Sequence, residues 1–372
     1  MIYLDNAATT NIKPPSVYKA VERSIKTLSA NAGRGAYDLS FLCAKRIYET
    51  REAVASLLNF SSPERVVFTL NATYALNMAI KGLIRERCHV LLSDIEHNST
   101  LRPIYKLKDE IGIEFSFFNS DAEDLFKEIE RCVRPETKAI VSTLASNVSG
   151  KEISLEILSK IAAKRNLTLI VDASQYIGHK AIDLSKTPCT ALCAPAHKAL
   201  FGIMGLGFCV LSKNTDISTL VEGGSGNLSK TPYMPPALPE RLEAGTLPLP
   251  AISALYEGIR YIERVGIDEI AEKSKKTTGL CCDAILSVPG NVVYGNNLGI
   301  VTFNMKGLDS ETVCSRLNDY GICVRGGFHC APTVHEKLGT YDFGAVRVST
   351  SYFTKNSDVH ALARALKKIS KY

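Results

Sequence analysis

The chain has 372 residues, of which 45% are hydrophobic and 22% are charged. This composition is typical of a globular protein with a sizeable core, large enough for a large domain and a smaller one, and it argues against disorder or a coiled coil. The formal net charge of +6 is modest, and Lys and Arg are scattered among Asp and Glu, so nucleic acid is not expected as the main partner.

The first ten residues, MIYLDNAATT, contain no basic segment followed by an apolar run, so no signal peptide is expected. No apolar stretch approaches the roughly 20 residues that a membrane-spanning helix needs. The eleven cysteines are an odd number, which suits a set of reduced thiols better than a disulfide framework. We therefore expect a cytoplasmic protein without a membrane partner.

Apolar segments alternate with helical segments over the first two thirds of the chain. The predicted strands are 65–70, 89–94, 113–118, 138–144, 167–173 and 206–212. The predicted helices between them are 72–86, 121–131 and 154–166. This alternation predicts an α/β fold with a mostly parallel sheet that is covered on both faces, and ligands of such sheets bind beyond the carboxyl ends of the strands.

A segment rich in proline and glycine, residues 222–251, ends the alternation. A long helix is predicted at 251–266, and a second set of elements follows it to the C-terminus. We place the domain boundary near residue 258. The prediction is a large domain at 15–258 and a smaller α+β domain formed by 1–14 and 259–372.

An aspartate and a lysine stand at places where burial changes their chemistry. Asp172 ends an apolar strand, so its carboxylate needs a cation or a protonated nitrogen as a partner, unless it caps a turn or helix. Lys198 lies in the apolar segment CAPAHKALFGIMGLG (193–207). A desolvated lysine loses its proton easily and becomes a nucleophile, although a lysine that reaches the surface is the alternative. The pair suggests pyridoxal 5′-phosphate (PLP) bound to the lysine.

One cysteine differs in its surroundings from core cysteines such as Cys209 and Cys314. Cys330 lies in the glycine-rich segment CVRGGFHCAPTV (323–334), which has little packing value. It is therefore a candidate for a thiol displayed for chemistry. A buried structural thiol is one alternative. A metal site with His329 and His335, or one around CTALC (189–193), is another, but both lack the ligand spacing of known metal motifs.

Seven short motifs occur along the chain in a characteristic order. They are YLDNAATT (3–10), EHNS (96–99), SNVSG (146–150), VDASQ (171–175), HK (197–198), EAGT (243–246) and RGGFHCAP (325–332). Together they resemble the class V enzymes of PLP fold type I, and in particular the compact-loop group of cysteine desulfurases and selenocysteine lyases. With Arg347 the resemblance covers essentially the whole sequence. It implies the PLP-dependent transferase fold of type I.

The resemblance implies roles around the cofactor ring. Lys198 would hold PLP covalently and shuttle a proton, and Asp172 would keep the pyridine nitrogen protonated. Gln175 would donate to the phenolic oxygen of PLP. His97 would stack on the ring, although a surface loop histidine is the alternative.

The resemblance also implies contacts to the PLP phosphate. His197 and the helix-opening turn at Ala72 and Thr73 would bind it, because backbone N–H groups at a helix N-terminus suit an anion. Gly245 and Thr246 would reach it from the neighbouring subunit, which implies a homodimer. Two departures from the family pattern fall here: Pro195 stands where Ser or Thr is usual, and Asn71-Ala72 stands where Gly-Thr is usual.

The substrate carboxylate needs a fixed cation, and Arg347 matches the family position, with Asn147 as the second partner. A surface ion pair is the alternative for Arg347. Arg325 is placed beside the substrate as well. Arg325 and His329 would favour the thiolate form of Cys330, which is the reactive form.

The function that these roles predict is that of a cysteine desulfurase. Cys330 would take the sulfur of L-cysteine as a persulfide, L-alanine would leave, and the persulfide would pass to an acceptor, for example in iron–sulfur cluster biogenesis. A selenocysteine lyase that acts on L-selenocysteine, and another class V enzyme such as an aminotransferase or β-lyase, are the alternatives. Phe328, where the compact-loop group usually has histidine, leaves the choice of substrate open. A scaffold protein without activity is a further alternative.

Overall fold

The computed structural model describes residues 1–32 and 35–371. Its strands, numbered along the chain, are β1 (Ile2–Tyr3), β2 (Val66–Thr69), β3 (His89–Ser93), β4 (Glu114–Phe118), β5 (Thr137–Thr143), β6 (Thr168–Asp172), β7 (Ala191–Pro195), β8 (Gly207–Leu211), β9 (Val292–Asn297), β10 (Ile300–Asn304), β11 (Ile322–Cys323) and β12 (Val346–Ser349). Its helices are α1 (Pro15–Thr27), α2 (Asp38–Leu57), α3 (Ala72–Leu83), α4 (Asn98–Ile111), α5 (Leu125–Cys132), α6 (Leu155–Arg165), α7 (Leu249–Val265), α8 (Ile267–Leu286), α9 (Ser310–Asp319), α10 (Pro332–Lys337) and α11 (Asn356–Ile369).

A seven-stranded sheet in the order β2-β8-β7-β6-β5-β3-β4 forms the centre of the large unit. Neighbours from β4 to β7 are parallel, whereas β8 runs antiparallel to both β7 and β2. Strands β3, β7 and β8 are buried along their whole length, as expected for a sheet with both faces covered. The prediction of an α/β fold with a mostly parallel sheet is confirmed.

The elements predicted between residues 65 and 266 are present, with shifted ends, but strand β7 and helix α4 in this range were not predicted. The predicted helix at 121–131 begins at Leu125, because the Asp124 side chain accepts a hydrogen bond from the Lys127 N–H and caps the helix there. Strand β7, with the sequence ALCAP, was not predicted, since it lacks β-branched residues and ends in proline. It is nevertheless paired on both sides, by β6 and β8.

A second, smaller sheet has the antiparallel order β12-β10-β9, and the short strands β1 and β11 pair beside it. The apolar cluster around it takes its buried members from Leu4 and from residues between Cys281 and Ile369. The N-terminal segment therefore packs with the C-terminal third of the chain.

The domain boundary near residue 258 stays a prediction, and it falls inside α7. Among the described residues, no helix combines the length and the apolar character needed to cross a bilayer.

The carboxyl ends of the parallel strands meet at one edge of the large sheet. Asp172 is the last residue of β6, His97 follows β3 in the turn to α4, and Lys198 follows β7. Thr143, at the end of β5, pairs with Asp172 in the register of the sheet. This edge is where ligands of open α/β sheets bind.

Candidate active site

One pocket of about 220 Å³ at this edge is lined by all the predicted site residues except Gly245 and Thr246. The predicted residues that line it are Ala72, Thr73, His97, Asn147, Asp172, Gln175, His197, Lys198, Arg325, Cys330 and Arg347. They come from both the large unit and the C-terminal third. The fold therefore brings together residues that are far apart in the sequence.

Lys198 lies in the turn that follows β7. Burial lowers the pKa of its amine to about 8; Asp172 opposes this shift, while Arg347 and Arg325 add to it. A lysine with such a pKa has a substantial unprotonated fraction near neutral pH, and the unprotonated amine is the nucleophile. Lys198 is therefore suited to condense with an aldehyde.

Asp172 and Gln175 form one wall of the pocket. One carboxylate oxygen of Asp172 accepts a hydrogen bond from the Ser174 N–H at 2.8 Å, so the residue does stabilise a turn, as the capping alternative proposed. The carboxylate still lines the pocket with its second oxygen available. The Gln175 amide donates to the Ala7 carbonyl at 2.9 Å, which holds the DNAATT segment against the end of β6.

His97 is the N-cap of α4, because its Nδ1 accepts a hydrogen bond from the Ser99 N–H at 3.0 Å. Burial, together with Lys198, lowers the pKa of His97 to about 4. The imidazole is thus neutral at physiological pH and fixed in orientation. A neutral, oriented ring on the pocket wall fits the stacking role that the resemblance implies.

The N-terminus of α3 faces the same pocket through Ala72 and Thr73. The Asn71 side chain caps this helix by accepting from the Tyr74 N–H at 2.9 Å, and the N–H groups before it have no intrahelical partner. Gly207 permits this arrangement, since a Cβ there would lie 2.4 Å from the Asn71 carbonyl carbon. This turn can hold an anion, with Ala72 in place of the usual threonine.

His197 adds a further group that fits an anion. Its Nδ1 is buried and has no hydrogen-bond partner among the described residues. Burial is the main cause that lowers the pKa of His197 to about 4, with Lys198 and Lys13 adding to the effect. A buried ring nitrogen without a partner is costly, and a phosphate oxygen would satisfy it. PLP fits a pocket that offers Lys198, Asp172 and His97 together with two anion-binding groups, the N-terminal turn of α3 and His197.

The substrate side of the pocket is built around Arg347, in the middle of β12. The residue is 1% exposed, which excludes the alternative of a surface ion pair. Its two terminal nitrogens donate at 2.9 Å to the Asn147 carbonyl and to Asp5. The Arg347 Nε and the Asn147 side-chain oxygen are buried and have no partner among the described residues. The guanidinium is thus held in place and still has donors for a carboxylate.

Cys330 is exposed and lies at the rim of this pocket. The backbone of its loop is left-handed at His329 (φ 50°) and at Cys330 itself (φ 58°), a conformation that non-glycine residues rarely adopt. The Cys330 carbonyl accepts from the Asn98 N–H at 2.8 Å, and the Asn147 amide donates to the His329 carbonyl at 2.6 Å. The chain is thereby folded tightly against the N-terminus of α4.

The expectation that His329 provides a positive charge beside Cys330 is wrong. His329 is 4% exposed, its Nε2 contacts the Ala345 carbonyl at 3.1 Å, and burial is the main cause that lowers its pKa to about 2. It is therefore a neutral structural residue. Arg325, whose backbone pairs with that of Arg347, lines the pocket together with Cys330 and carries a positive charge there, as Arg347 also does.

Gly245 and Thr246 lie elsewhere in this chain. They line a separate cavity of about 420 Å³. The segment that carries them is anchored by Glu243, which forms a buried two-pronged ion pair with Arg51, with contacts of 2.8 and 2.6 Å. Within one chain these residues are not part of the pocket that contains Lys198.

The residues of the weaker metal alternatives have other surroundings. His335 contacts the Thr340 hydroxyl at 2.7 Å, and Cys193 lies within strand β7. Among the described residues, no group of three or more His, Cys, Asp or Glu side chains is arranged to hold a metal ion. Phe328 is 46% exposed and packs edge-to-face against His335 and Tyr341.

Sequence reasoning missed two residues that shape the pocket, although both stand in motifs that it used. Asp5 in YLDNAATT pairs with Arg347, and Glu96 in EHNS, the residue before His97, is fully buried. The signal that could have found them is an acidic residue next to apolar ones in a segment that carries a functional side chain, because a buried carboxyl requires partners.

The fold and the pocket define an α/β enzyme with a lysine of lowered pKa at the carboxyl edge of its sheet. The chain matches the family model described as aminotransferase class-V over residues 2–362, and it belongs to that family. It is 32% identical to a probable cysteine desulfurase from Methanothermobacter thermautotrophicus, over 99% of this chain and 94% of the relative.

Two further comparisons agree with this assignment. The chain is 28% identical to a cysteine desulfurase from Klebsiella pneumoniae, over 100% of this chain and 94% of the relative. Among solved structures, a cysteine desulfurase from Thermococcus onnurineus NA1 superimposes with a TM-score of 0.91 at 27% identity, covering 100% of this chain and 94% of the other. The predicted family and the predicted fold type are confirmed.

Proposed function

We propose that this protein is a PLP-dependent cysteine desulfurase that converts L-cysteine to L-alanine and leaves the sulfur as a persulfide on Cys330. The observation that supports it most is the shared pocket: the amine of Lys198, the carboxylate of Asp172, the guanidinium of Arg347 and the thiol of Cys330 all line it. The relatives named as cysteine desulfurases cover nearly the whole chain.

PLP, when bound, supplies an electron sink that makes bonds at the substrate's α and β carbons labile. Lys198 would hold it covalently, with Asp172 beside the ring nitrogen, Gln175 beside the phenolic oxygen and His97 on the ring face. The phosphate would be bound at Ala72, Thr73 and His197. These assignments rest on the pocket lining and on the unpaired Nδ1 of His197.

The residues of the C-terminal third would bind and attack the substrate. Arg347 would fix its carboxylate through its buried Nε–H, which has no partner among the described residues. Asn147 would assist through its side-chain NH₂, one hydrogen of which is donated to the His329 carbonyl. The Cys330 thiolate would attack the substrate sulfur, so that the carbon–sulfur bond breaks, a sulfur–sulfur bond forms, and the β carbon gains a proton to become the methyl group of alanine. Arg325 would stabilise the thiolate as the nearby cation.

A homodimer would complete the phosphate site. Gly245 and Thr246 lie outside the pocket of their own chain, which supports the proposal that they serve the pocket of a second copy. The persulfide would then pass to an acceptor, and the exposure of Cys330 allows that transfer. Eleven free cysteines suit a reducing compartment, so we place the enzyme in the cytoplasm.

The experiment is to measure alanine formation from L-cysteine by the PLP-loaded protein, with and without a thiol reductant that removes the persulfide. We expect stoichiometric alanine without the reductant and repeated turnover with it. A protein that makes alanine from L-selenocysteine and not from L-cysteine would instead be a selenocysteine lyase. Pyruvate in place of alanine would indicate a β-lyase.

A further inference from the structure

Glu96 is a carboxyl group that the roles described above do not use. It lies in the turn between β3 and α4, one residue before His97, and it is 0% exposed. Its Oε1 accepts hydrogen bonds from the Ser93 hydroxyl and from the Thr143 N–H, the latter at 2.7 Å. The first bond closes the turn, and the second joins it to the end of β5.

The turn that Glu96 closes contacts several parts of the active site. His97 lines the pocket, and the next N–H, that of Asn98, donates to the Cys330 carbonyl at 2.8 Å. Thr143, the last residue of β5, is paired with Asp172, the last residue of the neighbouring strand β6. A displacement of this turn would therefore move the stacking histidine and the cysteine loop relative to Asp172.

The second oxygen of this carboxyl indicates its protonation state. The Thr100 hydroxyl is a neighbour that interacts with the Glu96 carboxyl, yet neither Glu96 Oε2 nor Thr100 Oγ1 has a hydrogen-bond partner among the described residues. Both atoms are buried. An ionised carboxylate would be a buried charge whose Oε2 has no cation beside it and could accept only from the Thr100 hydroxyl. A protonated Oε2 carries no charge and can donate to the same hydroxyl.

The electrostatic surroundings favour the same state. Burial raises the pKa of Glu96 to about 8; the contacts with Ser93, Thr143 and Thr100 oppose the rise, and the Asp172 carboxylate adds to it. Asp172, at the end of β6, is the titratable group on another element whose charge affects Glu96. His97, the next residue after Glu96 in the chain, is neutral.

We propose that Glu96 is a positioning residue that acts as an uncharged acid: it accepts from Ser93 and Thr143, donates to Thr100, and so fixes His97 and the Cys330 loop against the end of β6. The proposal rests on the proposed function for its catalytic consequence. Its structural part, a buried neutral acid, stands on the contacts of this chain.

Glu96→Gln and Glu96→Ala distinguish a neutral acid from a carboxylate. The glutamine amide can accept at Oε1 and donate to Thr100, so it mimics the protonated acid. Alanine makes none of these contacts. In the PLP-loaded protein we expect Glu96→Gln to keep kcat/KM for alanine formation within about 3-fold of wild type, and Glu96→Ala to lose about 100-fold through misplaced groups. A loss in the glutamine variant as large as that in the alanine variant would overturn the neutral-acid assignment, and an unchanged alanine variant would overturn the positioning role.

The pH dependence of stability tests the same point without activity. A raised pKa in the folded state stabilises the folded protein at low pH, and this contribution disappears as the pH rises towards about 8. The Tm of Glu96→Gln minus that of wild type should therefore increase between pH 5 and pH 8 and then level off. A difference that does not change with pH shows that Glu96 is ionised throughout and refutes the proposal.

Two further variants complete the design. Glu243→Gln changes another buried glutamate, but one that is paired with Arg51, so it should lower the Tm, because the guanidinium is left unpaired. Thr100→Val should lower the Tm in the wild-type background and have no further effect in Glu96→Ala; an equal effect in both backgrounds counts against the Glu96–Thr100 bond. If the wild type binds no PLP while the pH result holds, the proposed function fails and the buried acid stands.

Discussion

Replacing Lys198 by methionine should make the PLP-free protein more stable. Methionine has a similar length and no charge, so the substitution removes the cost of holding an ammonium group in the pocket. The pKa of Lys198 is lowered from 10.5 to about 8, chiefly by burial. At about 1.4 kcal/mol per pH unit, this corresponds to a penalty of about 3 kcal/mol. Because Lys198 keeps partial contact with solvent, we expect a gain of about 2–3 kcal/mol at pH 7.

The size of this stabilisation depends on pH in a defined way. Between pH 8 and 10.5 the unfolded chain binds the lysine proton more tightly than the folded chain does, so the penalty is complete below pH 8 and disappears above 10.5. Urea denaturation of PLP-free Lys198→Met and wild type at pH 7, 8.5 and 9.5 measures the difference. Lys213→Met, at an exposed position, is the control. A Lys198→Met gain that is absent at pH 7, or equal to the control at every pH, would refute the reasoning.

Three further substitutions have defined outcomes. Cys330→Ala should abolish alanine formation from L-cysteine while PLP absorbance persists, because the exposed thiol is the acceptor of the sulfur; alanine production at the wild-type rate would contradict this role. Arg347→Lys should raise KM for L-cysteine at least about 10-fold, since lysine cannot bind a carboxylate with two donors in a fixed fork. Steady-state kinetics measures this, and an unchanged KM would mean that another cation binds the carboxylate. Gly207→Ala should lower the free energy of unfolding by about 1–3 kcal/mol and weaken PLP binding, because its Cβ would lie 2.4 Å from the backbone of Asn71; fluorescence titration with PLP at unaltered affinity would count against a phosphate site at this turn.

Periodicity and motif order were sufficient to predict the sheet and most of the pocket. The buried strands β3, β6 and β8 have continuous apolar sequences, which predict their type directly. The motif residues lie together because parallel strands end at one edge. Strand β7 was missed, since local propensity cannot show that ALCAP is paired on both sides.

Protonation states could not be predicted from the sequence, because they depend on burial that only the fold reveals. His329 reads as a cation beside Cys330 in the sequence, yet its ring is enclosed and its pKa is lowered to about 2. Glu96 was not singled out in the sequence, yet it is fully enclosed. Arg347 could have been a surface residue, and its burial with Asp5 emerges only when β12 packs beside β10.

Mass spectrometry of the PLP-loaded protein after one turnover with L-cysteine tests the central assignment most directly. Borohydride reduction before proteolysis should place the cofactor mass on the peptide that contains Lys198, and a parallel unreduced sample should place one added sulfur on the peptide that contains Cys330, with one alanine formed per labelled chain. A cofactor bound to a different lysine, or sulfur on another cysteine with alanine formation intact, would contradict it.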